Sequence, residues 1–334
     1  MEGVRHIMGN KMGKNSSQAQ LKNPSPPQVD RRKIEGFQFY VENQQKAKCE
    51  DAIEEVIKNA KKIWRIFYDE NKSNPNKAEE GVELLEKTLE PLVVYGFILI
   101  KHECDELLAF LIEKLGALTI GESLSGYTSI LSTPFASLHN LYYYFGAFAL
   151  KKGRTGSLAV LVNTKIPVDY DYKYENVWER GKIFILKEIW GEDAMFNRLL
   201  DTYDKVALIH ENFEKEEFIS LVCQFNFILC FKVIIKDEQT QKGRWFYANF
   251  GRMSGHRVMP LIHRLEIADK YSEDFNQRVF GESWSEFKSK FWERLAQIKQ
   301  EQFGRQYIWE SIPNDYEKEL ERIFGEELGW VFQG

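Results

Sequence analysis

The chain of 334 residues is long enough for two ordinary domains or for one large domain with insertions. Hydrophobic residues make up 43% of it and charged residues 28%, which excludes disorder as its main state. The formal net charge is −5, and aromatic residues reach 14%, a content that favours a large buried core.

The first predicted segment is a basic tail. Residues 1–33 are rich in Asn, Ser, Gln and Pro, show no apolar period, and carry seven Lys or Arg against Glu2 and Asp30. Such a composition cannot bury enough apolar surface to fold, so we predict a disordered segment. It has no apolar stretch typical of a secretory signal. A short strand is predicted next, at 36–42.

Apolar residues at helical spacing predict α-helix over most of the remaining chain. Ile53, Ile57, Trp64 and Phe67 mark one buried face of the first helix, and Ser283 with Glu286 has the spacing of a capping box. The helices are predicted at 44–70, 76–90, 92–115, 134–150, 177–190, 194–213, 260–271, 283–302 and 314–325.

A small β element is predicted in the C-terminal half. Residues 225–235 and 243–250 are rich in Phe, Val, Ile, Trp and Tyr and are joined by a polar link, which favours a β-hairpin at about 225–250. The predicted fold class is therefore mainly α (α+β), a helical globule of about nine helices with a small β-hairpin. The predicted regions are a tail at 1–33, a helical region at 34–150 and a helical region with the hairpin at 151–334; one continuous domain remains an alternative.

The cysteines indicate the compartment. Cys49, Cys104, Cys223 and Cys230 form neither a CxxC pair nor a zinc-binding spacing, which predicts a reducing, cytoplasmic environment without metal or cofactor. Two long apolar runs, 123–150 and 218–235, contain polar residues that are costly in a bilayer. We therefore expect both runs in the protein core and no membrane contact.

Charge is distributed unevenly along the chain. Residues 123–168 hold four cations and residues 239–265 hold five, and neither segment contains a single Asp or Glu. Loss of carboxylates with retention of cations is what an anion-binding surface requires, because a carboxylate near a phosphate would weaken binding. The alternative is a basic face that is solvated or paired internally.

Two glycine-containing loops, KKGRTGS at 151–157 and GRMSGHR at 251–257, concentrate these cations and predict a phosphate-binding site. Neither loop matches the Walker or GxGxxG pattern. Trp245 and Tyr247 lie beside the basic residues in the sequence and are candidates for stacking on bases. The predicted phosphate-binding residues are Lys151, Lys152, Arg154, Lys242, Arg244, Arg252, His256, Arg257 and Arg264.

Arg257 and His263 have a spacing that resembles the Arg-x(4–6)-His motif of HEPN-type ribonucleases. The resemblance implies a metal-independent ribonuclease in which the arginine binds the scissile phosphate and the histidine transfers protons. It is confined to this motif, and Val258 and Pro260 depart from the usual pattern.

The sequence therefore supports three hypotheses of different classes. The leading one is binding of nucleic acid or another phosphate-bearing ligand through the basic Gly/Arg loops. The first alternative is a protein–protein interaction subunit of a larger complex, whose basic segments meet an acidic protein partner. The second is the HEPN-like ribonuclease, with Arg257 and His263 as its catalytic residues.

Overall fold

The computed structural model describes two long stretches, residues 30–119 and 127–167, and several shorter ones. These are 174–176, 207–236 and 269–290, together with residues 199, 203, 260–261, 263–265, 267 and 293. Several predicted segments lie outside the described residues: residues 1–29 of the tail predicted at 1–33, the basic segment 239–259, the helices at 177–190 and 314–325, and most of the helix at 194–213.

The described part of the chain is mainly α-helical, which confirms the predicted fold class. We number its helices α1 to α11 in chain order. They are α1 (Arg31–Glu42), α2 (Lys46–Asn71), α3 (Ala78–Lys101), α4 (Asp105–Gly116), α5 (Thr128–Leu131), α6 (Thr133–Lys151), α7 (Thr155–Asn163), α8 (Ala207–Asn212), α9 (Lys215–Lys236), α10 (Lys270–Phe275) and α11 (284–290). Two short strands, β1 (Lys165–Pro167) and β2 (Tyr174–Asn176), pair antiparallel with Ile166 opposite Glu175.

Helix α6 lies at the centre of the bundle. From Ala136 to Ala149 every residue except His139 is buried. The helix packs against α3 on one side and α9 on the other, and α7 also contacts it. Its first turn contains Pro134, at a position where the absent amide hydrogen breaks no helical hydrogen bond. Within the described residues, no helix is both long and apolar enough to span a bilayer.

Aromatic rings fill the contacts between these helices. Phe97 of α3 stacks on Phe148 of α6 with centroids 4.1 Å apart. Phe225 of α9 meets Tyr142 and Tyr143 of α6 edge-on, at 5.2 and 5.6 Å. The Tyr143 hydroxyl donates to Oδ1 of Asn226 at 2.5 Å. The Tyr142 hydroxyl donates to the Leu161 carbonyl, so these buried rings stabilise the core through their large apolar areas while both tyrosine hydroxyls are hydrogen-bonded.

The prediction of a β-strand at 225–235, the first arm of the hairpin, is wrong. Residues 225–235 lie within α9, and the second arm at 243–250 falls outside the described residues. Residues 225–229 are all buried, so this part of the run shows no solvent-exposed polar face that would mark a helix. Its length favoured a helix, whereas its β-branched and aromatic content suggested a strand.

The N-terminal predictions also need correction. The strand predicted at 36–42 is part of α1, which buries Phe37 and Val41 on one face. That helix begins at Arg31, inside the segment predicted as a tail, because the Asp30 side chain accepts a hydrogen bond from the Arg32 amide as an N-cap.

The break between the second and third predicted helices was placed at Pro91, whereas the structure has it between Lys101 and Asp105. Helix α3 continues through Pro91, since its many buried apolar residues stabilise the helix despite the lost hydrogen bond. It ends at Lys101, and Glu103 in the following turn has a φ of 56°. Residues 92–115 therefore form the end of α3 and the whole of α4 rather than one helix.

Candidate functional site

The loop at 151–157 joins α6 to α7 and brings together the first three predicted phosphate-binding residues. Lys151 Nζ lies 2.5 Å from Glu217 Oε2 and also donates to the Asn212 carbonyl at 2.8 Å. The Arg154 guanidinium pairs with Glu103 and donates to the carbonyl of Lys101. Lys152 is exposed, with its ammonium 5.4 Å from the centre of the Phe148 ring. Two of the three cations are thus already paired with carboxylates.

The remaining polar groups of this loop also face acids. Thr155 Oγ1 donates to Asp274 at 2.5 Å, and Ser157 Oγ donates to Asp105 at 2.9 Å. A Cβ on Gly156 would lie 3.3 Å from the carboxyl carbon of Asp105. Most hydrogen-bond donors of this loop are therefore already bound to carboxylates, which would also repel a phosphate. This geometry favours an internally paired loop that joins α4, α6, α7 and α10.

The C-terminal group of predicted residues is described only in part. Arg264 pairs with Asp269 at 2.6 Å, and its guanidinium carbon lies 4.3 Å from the centre of the Tyr271 ring. The bond from Arg264 lowers the pKa of Asp269, after the larger effect of the Ser272 amide. His263 is exposed. Lys242, Arg244, Trp245, Tyr247, Arg252, His256 and Arg257 lie outside the described residues, so the Arg257–His263 pair remains a prediction.

A basic face that the sequence reading missed is formed by α1 and α2. Between Glu55 and Asp69 the chain carries four cations and no acid, all exposed on α2. Across the described part of the chain, no carboxylate pairs with any of five exposed cations on these two helices. These five are Arg31, Arg32, Lys58, Lys61 and Lys62.

A cavity of about 580 Å³ opens on this face, between α1, α2 and α3. Lys58 and Lys62 line it from α2, one helical turn apart, with Asn59 between them. Its other wall is apolar and is provided chiefly by Ile34 of α1 and Pro91 of α3. A volume of this size is within the usual range for small-molecule sites.

The two carboxylates at the cavity already have partners. Asp30 caps α1, and Glu55 lies 2.7 Å from Lys33 Nζ. The bond to Glu55 raises the pKa of Lys33, so this pair remains charged and mutually compensated. Lys58 and Lys62 are therefore the two cations of the cavity lining that no carboxylate of the described residues pairs with.

Tyr95 closes the cavity on the α3 side. Its ring stacks on Phe37 with centroids 3.9 Å apart and planes 9° from parallel. Burial raises the pKa of its hydroxyl to about 12, and the charges of Glu55 and Asp30 act in the same direction. The hydroxyl consequently keeps its proton and can donate to a ligand anion.

A second cavity, of about 450 Å³, contains Cys49 and Cys104 among its lining residues. Burial raises the pKa of Cys49 to about 11 and also raises that of Cys104. Both thiols are therefore protonated at neutral pH and poor nucleophiles. Among the residues that the structure describes, no three His, Cys, Asp or Glu side chains cluster as a metal site would require.

Comparison with known proteins adds no further constraint on the site: no protein-family model, no curated protein and no solved structure matches the chain.

Proposed function

We propose that the protein binds nucleic acid or another phosphate-bearing ligand, with the exposed face of α1 and α2 as one contact surface. The observation that carries the proposal is a set of five exposed cations on α1 and α2 with which no carboxylate of the described residues pairs: Arg31, Arg32, Lys58, Lys61 and Lys62. Two of them, Lys58 and Lys62, line the cavity. Unpaired, exposed cations release bound counterions from a polyanion without first breaking an internal ion pair, which favours association.

Two further features of the sequence support the same function. The chain that precedes α1 adds Arg5, Lys11, Lys14 and Lys22 against Glu2, so the basic face continues into a basic segment. Residues 239–265 supply five more cations without an acid, beside Trp245 and Tyr247. Of these five, only Arg264 lies within the described residues, and it is paired with Asp269.

The proposal is tested by fluorescence anisotropy with labelled single-stranded RNA and DNA over a range of salt concentrations. We expect the triple variant Lys58→Ala/Lys61→Ala/Lys62→Ala to bind more weakly. We also expect its plot of log affinity against log salt to be less steep by about two units, since each of the three lost phosphate contacts lowers the slope by roughly 0.7 on a single strand.

The matched control is the double variant Lys151→Ala/Arg154→Ala, which removes cations that are already paired with Glu217 and Glu103. We expect its salt slope to equal that of the unchanged protein. A steeper loss in the control than in the triple variant would place the phosphate contacts at the 151–157 loop. Binding that is absent, or that does not respond to salt, would refute the proposal.

A further inference from the structure

The cavity between α1, α2 and α3 combines a cationic wall with an apolar one. Lys58 and Lys62 lie on the α2 side, whereas Ile34, Val56 and Pro91 provide apolar surface. A nucleic-acid backbone alone would use the cations and leave the apolar wall in water. The arrangement instead suits a ligand that is charged at one end and apolar at the other.

We propose that this cavity is a binding site for a small organic phosphate monoester with an apolar body. The inference rests on the proposed function, because it names the class of phosphate-bearing ligand that the same face would take. A phosphate monoester carries a charge of about −1.5 to −2 at neutral pH. Lys58 and Lys62, one helical turn apart, provide two cations for it, and with Lys33 against Asp30 and Glu55 the lining keeps a net positive charge that favours an anion.

The donors around the cavity fit a phosphate group. Lys58 and Lys62 provide ammonium donors, Asn59 provides an amide, and the Tyr95 hydroxyl retains its proton. Of the two carboxylates in the lining, Glu55 is paired with Lys33, and Asp30 accepts a hydrogen bond from the Arg32 amide at the start of α1. The phosphate end would thus lie along α2, with the apolar body against Ile34 and Pro91.

The size of the cavity limits the ligand to a small molecule. Its volume of about 580 Å³ accommodates an aryl or short alkyl phosphate. The stacked pair Tyr95 and Phe37 holds its inner wall in place, because both rings are almost fully buried. The cavity is therefore formed before a ligand enters, which reduces the entropic cost of binding.

Isothermal titration calorimetry with three probes tests the inference on the full chain. Phenyl phosphate carries both ends of the ligand, inorganic phosphate carries only the charge, and benzyl alcohol carries only the apolar body. We expect phenyl phosphate to bind about tenfold more tightly than either of the others, a difference of roughly 1.4 kcal/mol. Equal binding of phenyl phosphate and inorganic phosphate would overturn the proposal, as would no binding of any probe.

Two variants separate this inference from the proposed function. Ile34→Trp fills the apolar side of the cavity without changing its charge, so we expect it to abolish phenyl phosphate binding while nucleic-acid binding persists. Lys61→Ala changes a cation of the same helix that does not line the cavity. We expect it to weaken nucleic-acid binding and leave phenyl phosphate binding unchanged.

A charge reversal guards against misfolding of the Ile34 variant. Lys62→Glu changes only an exposed position and should preserve the thermal unfolding curve. It places a carboxylate beside the phosphate, so we expect phenyl phosphate affinity to fall by about tenfold or more. If Lys62→Glu leaves that affinity intact, the phosphate does not lie at this wall and the inference fails.

Discussion

Gly146 allows α6 and α9 to approach each other closely at the centre of the bundle, and replacing it tests this packing. A Cβ added there would lie 2.5 Å from Cδ2 of Phe225 and closer still to the neighbouring ring atoms. Carbon atoms in favourable contact are about 3.5–4.0 Å apart. The ring would therefore have to move by about 1 Å.

The surroundings of Phe225 oppose such a movement. The ring is fully buried, and Tyr142 and Tyr143 contact it edge-on at 5.2 and 5.6 Å. Overpacking of this kind costs about 1–3 kcal/mol. Replacing glycine by alanine within a helix contributes roughly 1 kcal/mol in the opposite direction. We therefore expect Gly146→Ala to lower the free energy of unfolding, but by less than the overpacking alone would.

The control is Gly36→Ala in α1, where an added Cβ meets nothing within 4 Å. This variant gains the helix propensity without the clash, so the difference between the two variants isolates the overpacking. We expect Gly146→Ala to be about 2 kcal/mol less stable than Gly36→Ala. Urea unfolding followed by circular dichroism measures both free energies, and unchanged m-values would show that the comparison is valid.

A second substitution identifies the clashing ring. In Gly146→Ala/Phe225→Leu the smaller side chain makes room for the new methyl group. We therefore expect the double variant to lose less free energy of unfolding than the sum of the losses of the two single variants. The packing argument is refuted if Gly146→Ala is as stable as Gly36→Ala. It is also refuted if the double variant loses the full sum of the two single costs.

Two further predictions concern the pH dependence of stability and a helix start. His139 is only partly buried as a residue, but its ring atom Nε2 is buried, and this burial lowers the pKa of His139 to about 4 against a weaker opposing effect of Asn140. The unfolded chain therefore gains a proton on acidification that the folded chain does not. As the pH is lowered from 6.5 to 4, the free energy of unfolding should consequently fall by about 2–3 kcal/mol because of this group. In urea unfolding over the same pH range, His139→Gln should show a smaller fall. At the start of α11 the Ser283 hydroxyl accepts a hydrogen bond from the Glu286 amide at 3.3 Å, and the Glu286 carboxylate accepts one from the Ser283 amide at 3.1 Å. We expect Ser283→Ala to lower the free energy of unfolding by about 1 kcal/mol. Ser285 is exposed on the same helix, so the control Ser285→Ala should change the unfolding curve little.

The sequence indicated helices best where one side of the helix faces solvent. In α2 the polar and apolar residues alternate at helical spacing, and the predicted bounds of 44–70 agree closely with Lys46–Asn71. The capping box at Ser283 was also predicted, because its two partners are three residues apart. Both signals depend on neighbours in the chain, which a single sequence displays directly.

Buried elements carried a weaker signal. Helix α9 is surrounded by the core along 222–229, where every residue is buried, and its pattern therefore contains no polar face. The continuation of α3 through Pro91 depends on apolar contacts with α2 and α6, which outweigh the local preference for a break. In both cases packing between distant segments decided the structure, and the local pattern did not record it.

Pairing of charges was the least predictable feature of the candidate sites. The 151–157 loop has no acid of its own, yet Glu103 reaches Arg154 from 51 residues away and Asp274 reaches Thr155 from 119. An acid-free stretch of sequence therefore does not imply an acid-free surface. The acid-free segment of α2 between Glu55 and Asp69 is visible in the sequence, but it resembles the ordinary solvated face of an amphipathic helix.

What separates the two basic surfaces is the direction from which carboxylates can reach them. The 151–157 loop lies where α4, α9 and α10 present acids from several sides, so folding itself consumes its cations. Lys58, Lys61 and Lys62 are instead exposed on α2, and the start of α1 beside them contributes Arg31 and Arg32 as well as Asp30. Glu55 is paired with Lys33, and the five cations outnumber Asp30, so this face keeps a net positive charge after folding and favours an approaching phosphate.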